Sequence, residues 1–325
     1  LRDTIQGNVR AVVEEIEGVD DVTVEMHTMS DGQRRELANQ LRGEQTGPAI
    51  PFADPDTRTR IFAVASGKGG VGKSSMTVNL ACAMAAQGLT VGIVDADIYG
   101  HSIPGLMGSM DKGPTVVDEM IMPPISHDVR HISVGQFVEG NAPIVWRGPM
   151  LTRAIQQFLG DVYWGDLDVL FMDLPPGTGD VAITVAQLVP NAELIIVTTP
   201  QAAAAEVAER AGTIAQQTNQ RIAGVIENMA GLLLDDGTLL NVFGEGGGQQ
   251  VADRLTQLTG EPDETVPLLG SVPLDPKLRE HGDSGTPVVI SDPDSPAAKE
   301  IHRIVDKLKV RRDSLAGKSL NPRVK

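Results

Sequence analysis

Apolar residues recur at Ile5, Val9, Val12, Val13 and Ile16, a three-and-four spacing that predicts an amphipathic helix over residues 4–16. Alternation at Val22, Val24 and Met26 then has the period of a strand. Ser30, with Gln33 three residues later, carries the capping-box spacing and predicts a second helix that ends near Leu41, ahead of Gly43. A helix, a strand and a helix of this length build a core near the lower limit for independent folding, so residues 1–43 read as part of a small α/β domain. Residues 44–59 hold three prolines and no sustained period, the signature of a linker.

After the linker the pattern changes to short β-branched runs at 61–66, 91–94, 169–173, 194–198, 222–226 and 268–272, separated by helical stretches. Continuous apolar runs between helices predict an α/β fold: a mostly parallel sheet covered on both faces, with ligands at the carboxyl ends of its strands. This main domain is expected over 60–310. Its last helix carries the stripe Ile301, Ile304, Val305 and Leu308 beside Lys299, Arg303 and Lys307, which suits a core face or a membrane-surface helix. A basic tail, 311–325, follows.

Composition narrows the function classes. The 325 residues carry 27 Lys and Arg against 43 Asp and Glu, a net charge of −16 that repels nucleic-acid phosphate and argues against a DNA-coating protein. From Lys307 to Lys325, seven cations and one acid leave the tail at +6, so a membrane surface stays open as an alternative partner. No apolar run reaches the length of a membrane span, and residues 1–10 lack the apolar centre of a signal peptide. The chain begins at Leu1, so a preceding segment is expected. The one cysteine, Cys82, excludes an internal disulfide and suits a reducing, cytoplasmic setting.

The run IFAVAS leads directly into Gly67, Lys68, Gly69, Gly70, Val71, Gly72, Lys73, Ser74 and Ser75, which satisfies G-x-x-x-x-G-K-[ST] between a predicted strand and helix. Glycines let backbone N–H groups wrap a β-phosphate, the helix start aims its positive end at the anion, and Lys73 neutralises β/γ oxygens. Ser74 is the expected Mg2+ ligand. Two further strands end in acids, Asp95 with Asp97 and Asp173, the latter followed by Gly177-Thr178-Gly179. Carboxylates at neighbouring strand tips can hold Mg2+ through water and orient an attacking water, as phosphoryl transfer requires.

With Lys68 as a second lysine in GKGGVGK, and with VDADIYG, DLPPGTGD and VIENM, the chain resembles the deviant-Walker P-loop ATPases that include MinD, ParA and the nitrogenase iron protein. Within that class DADIYGHSIP, WRGPM, DLPPGTGD, ENM and FGEGGG resemble the Mrp/ApbC iron–sulfur cluster carriers, over nearly everything from Ile61 to about Val305. The resemblance implies a cytoplasmic, Mg2+-dependent ATPase that assists assembly and transfer of clusters to apoprotein clients together with assembly factors. It further implies a homodimer closing on ATP, with Lys68 reaching the partner's nucleotide in the manner of an arginine finger. Asp97 would position the water, Asp95 would support the Mg2+ shell, Asp173 would be the Walker B acid and Gly177 would donate to the γ-phosphate. Asn228 would read adenine, with backbone near Pro273 as a second wall; a turn-forming role is its alternative. The competing function is a positioning ATPase of the MinD/ParA kind.

The chain departs from the carriers at one point. Many place C-x-x-C shortly after ENM, so that two subunits supply the thiolates of a 4Fe-4S cluster. Here 230–242 reads AGLLLDDGTLLNV, two leucine-rich arms around a turn, which predicts a β-hairpin. Cys82 lies on a helical stripe with Val78, Ala81 and Ala85 and is expected to be a core residue. His127 and His131 have metal-pair spacing, but the second opens an apparent strand. Gly244–Gly248 reads as a flexible lead into a helix over 249–258.

Overall fold

The computed structural model describes residues 2–14, 19, 22–24, 50–54, 57–97, 100–117, 120–137, 148–177, 180–201, 204–218, 220–234, 236–259 and 265–309. Contacts divide the chain into two units, Leu1–Thr46 with Val117–Glu119, and Gly47–Val116 with Met120–Lys325.

In the first unit helix α1 spans Arg2–Glu14, close to the helix expected at 4–16. Residues 22–24 are not strand, contrary to the alternation. The Val24 carbonyl accepts from Gln6 Nε2 and the Val22 carbonyl from Arg10 Nε, both at 3.2 Å, so side chains of α1 take the groups a ladder would use. Met26 and the helix expected at 30–41 lie outside the described residues.

The second unit is built on an eight-stranded sheet. Its strands are β1 (Arg60–Ala65), β2 (Val91–Asp95), β3 (Ile125–Ser126), β4 (Val129–Ser133), β5 (Val169–Asp173), β6 (Glu193–Thr198), β7 (Ile222–Asn228) and β8 (Leu268–Val272). Their order is β8-β7-β6-β1-β5-β2-β4-β3, with every pair parallel except β3 and β4. Each β-branched run of the sequence is therefore a strand. β7 runs two residues further than expected, which makes Asn228 its last residue, and β2 likewise takes in Asp95.

Alternate residues of β1 enter opposite cores, as a strand covered on both faces requires. Ile61, Ala63 and Ala65 join a layer with α3 (Gly148–Gly160), α4 (Asp180–Leu188), α5 (Ala204–Thr218) and α6 (Gly247–Thr259). Phe62 and Val64 face α2 (Lys73–Ala86), α7 (Val288–Ser291) and α8 (Pro296–Lys309). Phe62 stacks on Phe171 of β5, ring centroids 5.5 Å apart, so few aromatics suffice at the centre.

The core-face reading of the last helix is borne out, and two other expectations need correction. Ile301, Ile304, Val305 and Leu308 of α8 are all buried, and Lys307 donates to the Leu269 carbonyl at 2.5 Å. The stripe is thus a core face; the basic tail, 311–325, lies outside the described residues. Phe52, within the expected linker, is buried edge-to-face against Trp164, and Thr59 donates to the Leu167 carbonyl at 2.8 Å. One aromatic side chain overrides the proline-rich composition around it. Finally, α6 starts at Gly247, so the last two glycines of the run form its first turn. A Cβ on Gly247 would lie 2.7 Å from the Pro200 carbonyl, and one on Gly248 would lie 2.6 Å from Glu227 Cβ. Close packing, not flexibility, calls for glycine at both positions.

Candidate nucleotide site

β1 stops at Ala65 at the centre of the sheet, and residues 66–72 turn the chain into α2. Gly70 and Gly72 adopt φ of 77° and 81°, the left-handed region open to glycine at little cost. Gly72 caps α2, and a Cβ there would lie 2.3 Å from Asn228 Nδ2. Val71 is buried in the core and pins the middle of the loop, while Gly69 and Gly70 are exposed. The loop is also held from outside. Arg210 Nη1 of α5 donates to the Gly67 carbonyl at 2.9 Å, and a Cβ on Gly67 would lie 2.9 Å from Val207 Cα. Ser75 is half-buried, its carbonyl accepting from Asn79 Nδ2 at 2.8 Å.

The acids converge on this loop because neighbouring strands end together. Register pairs Asp95 of β2 with Asp173 of β5, and Asp173 with Val64 of β1. Lys73 Nζ lies 2.7 Å from Asp173 Oδ2 and 3.9 Å from Asp97 Oδ2. Ser74 donates to Asp173 Oδ2 at 2.5 Å, and Thr77 Oγ1 lies 2.8 Å from Asp173 Oδ1. Asp173 is fully buried, so these contacts are what make its charge tolerable there.

Asp95 is buried beside it. Its Oδ2 accepts from Ser133 at 2.8 Å and its Oδ1 from the Asp97 N–H at 3.1 Å. Burial, reinforced by the Asp173 charge, pushes its carboxyl up to about 8; the Ser133 hydroxyl and Lys73 pull the other way. Asp97 folds back on its own turn, accepting the Gly100 N–H at Oδ1.

Other expected site residues are placed as follows. Lys68 is half-buried, its Nζ held by Gln201 Oε1 of the same chain. The Gly177 N–H, expected to face a γ-phosphate, donates instead to the Ser66 carbonyl at 2.9 Å, with Gly177 at φ 92°. That carbonyl belongs to the residue directly before Gly67, so Gly177 is tied to the root of the loop. Asn228 Nδ2 donates to the Val71 carbonyl at 2.9 Å, which leaves Oδ1 buried without a partner. Pro273 follows the β8 residue paired with Asn228, and the two segments are laced by Ala230 N–H to Val272 O and Leu274 N–H to Gly231 O.

Donor chemistry fits a magnesium nucleotide. A serine hydroxyl and a carboxylate are hard oxygen ligands of the kind Mg2+ takes, one or two at a time, beside water and phosphate.

The same structure disposes of thiolate or imidazole metal binding at the places the sequence offered. Cys82 is fully buried, with burial, and Asp128 after it, pushing its thiol up to about 12. His131 is buried in β4 at 2.7 Å from Ser109 Oγ, whereas His127 Nε2 bonds the Gly285 carbonyl at 3.1 Å, so each ring has its own partner. The leucine arms do form a hairpin, Leu232–Leu233 with Leu239–Leu240, and Leu233, Leu239 and Leu240 are exposed on it.

Sequence reasoning missed Thr77, Ser133 and Glu227. Thr77 follows Lys73 by one helical turn and was legible from that spacing alone. Ser133 was not, because only the β2–β4 register brings it to Asp95. Glu227 accepts the Gly248 N–H and the Ser271 hydroxyl, each at 2.8 Å, and so ties β7 to the start of α6 and to β8.

Comparison with known proteins adds three findings. The family ParA, described as NUBPL iron-transfer P-loop NTPase, matches residues 57–309. The iron-sulfur cluster carrier protein of Mycobacterium tuberculosis is 63% identical over 316 residues, 97% of this chain and 82% of that one. The nucleotide-binding protein of Archaeoglobus fulgidus, solved in complex with ADP, superposes with a TM-score of 0.62 at 35% identity, over 74% of this chain and 92% of that one.

Proposed function

The chain belongs to the NUBPL iron-transfer P-loop NTPase family, and from that premise we propose that it is a Mg2+-dependent ATPase that assists assembly and transfer of iron–sulfur clusters to apoproteins. The observation that carries the nucleotide half is Asp173, buried at a strand tip and held by Lys73 and Ser74 of the adjoining loop.

Backbone N–H groups of 67–73 and the start of α2 hold the β-phosphate. Lys73 sits between Asp173 and Asp97 and turns its charge to the β/γ oxygens when nucleotide arrives. Ser74 and Asp173 would hold Mg2+, which when bound would neutralise phosphate charge. Asp97 orients the attacking water, Asp95 fixing the Asp97 backbone behind it. The orphan Asn228 Oδ1 is an acceptor that suits the exocyclic amine of adenine and opposes the carbonyl of guanine. Backbone near Pro273, beside the residue paired with Asn228, supplies a second wall for the base. Lys68, released from Gln201, serves the nucleotide of a second copy, so closure of a homodimer completes the site.

The cluster is cargo here, and these residues do not fit its ligation by four thiolates. Cys82 is the one thiol of the 325 residues, and it is buried. Ligands come from the client or from residues beyond these 325. Among the described residues no helix is long and apolar enough to cross a membrane, which suits a cytoplasmic carrier.

The test is reconstitution without oxygen. The protein is incubated with iron, sulfide and an apo-aconitase type acceptor. Acceptor activation that depends on the protein, and falls when Lys73 is replaced by Met, is the expected result; activation equal with and without the protein overturns cluster delivery.

A further inference from the structure

We infer that Thr77, on α2 one turn after Lys73, is a positioning residue for the Mg2+ site: its hydroxyl fixes the carboxylate of Asp173 so that one oxygen stays turned toward Ser74 and Lys73. The inference rests on the reading of Asp173 as the acid of that site.

The carboxylate is divided between two sets of donors. Oδ2 receives Lys73 Nζ at 2.7 Å and the Ser74 hydroxyl at 2.5 Å, and both of those groups must turn toward phosphate and cation when nucleotide binds. Oδ1 has Thr77 Oγ1 at 2.8 Å. Thr77 is fully buried, so its contact survives whatever happens at Oδ2. The Thr77 hydroxyl has one proton and two acceptors in reach, Asp173 Oδ1 at 2.8 Å and the Lys73 carbonyl at 3.1 Å. The shorter, charge-assisted bond to the carboxylate prevails, because the Lys73 carbonyl already accepts within the helix ladder and the anion gains more from a donor. Without the hydroxyl, Oδ1 becomes a buried, unsatisfied anionic acceptor. The carboxylate then rotates to seek Lys73 and Ser74 with both oxygens, and so competes with the nucleotide for them.

Isosteric and conservative variants separate this from packing. Thr77→Val keeps the shape and loses the donor; Thr77→Ser keeps the donor and loses a methyl. Fluorescence titration of the labelled ADP complex with Mg2+ should show Thr77→Val weakening apparent Mg2+ affinity by about 10- to 100-fold, the range for partners that orient metal ligands. ADP affinity without Mg2+ should be unchanged, kcat should fall more than KM rises, and Thr77→Ser should stay within about threefold of wild type on every readout. If Val gives no folded protein, Thr77→Ala against Thr77→Ser carries the comparison, the two differing by the hydroxyl alone. Val behaving as wild type, or Ser as impaired as the variant lacking the hydroxyl, overturns the inference. Full Mg2+-dependent hydrolysis by Asp173→Asn would instead overturn the reading on which it rests.

Discussion

Lys73 is set among the carboxylates of Asp95, Asp97 and Asp173, and the mutual repulsion of those acids is a cost to the folded chain. Because the folded chain raises the Asp95 carboxyl from 3.8 to about 8, the unfolded chain holds fewer protons between those values, and stability falls as pH rises through them. Asp95→Asn should therefore raise Tm by about 2–4 °C at pH 8, and by less at pH 5, while lowering phosphate release. Equal Tm gains at both pH values would contradict the assignment. His131 acts with the opposite sign. Burial lowers its pKa to about 4, with the positive charges of Lys112 and His127 adding to the effect, so the stability it permits is complete above pH 6.5 and drains away toward pH 4. His131→Gln should flatten the loss between pH 6.5 and 4, worth about 3 kcal/mol in wild type, in urea titrations at stepped pH.

Elements were the most legible scale. β-branched runs marked six of the eight strands, β3 and β4 at the sheet edge being the exceptions, since a strand buried on both faces leaves a continuous apolar run that few other structures produce. The loop from Gly67 to Ser75 was equally plain, because its residue types stand at fixed spacing between a strand and a helix. What local pattern could not reveal were packing demands made by remote segments. Gly247 and Gly248 look like a hinge in sequence, yet Pro200 and Glu227 press against them. Gly248→Ala should accordingly cost about 1–3 kcal/mol by overpacking, although Ala favours helix, and denaturant unfolding measures it. A stabilised variant would mean that the contact with Glu227 yields freely. Phe52 belongs to the same class, a single apolar residue whose partner, Trp164, lies far along the chain.

At the scale of the whole molecule, charge separates a carrier from a positioning ATPase that rides on nucleic acid. A net charge of −16 repels a polyanion at long range, and α8 turns its apolar stripe into the core. Anisotropy with a labelled DNA duplex should show no ATP-dependent, salt-sensitive binding; such binding would favour the positioning reading. Every role proposed for these residues requires that the loop between β1 and α2 hold a magnesium–adenine nucleotide through its phosphates. Isothermal titration of the purified chain with ADP and Mg2+ tests it most directly. The predicted result is one nucleotide per chain, absent for adenosine and lost in a folded Lys73→Met variant. Equal binding of adenosine and ADP, or no uptake of ADP at all, would contradict it.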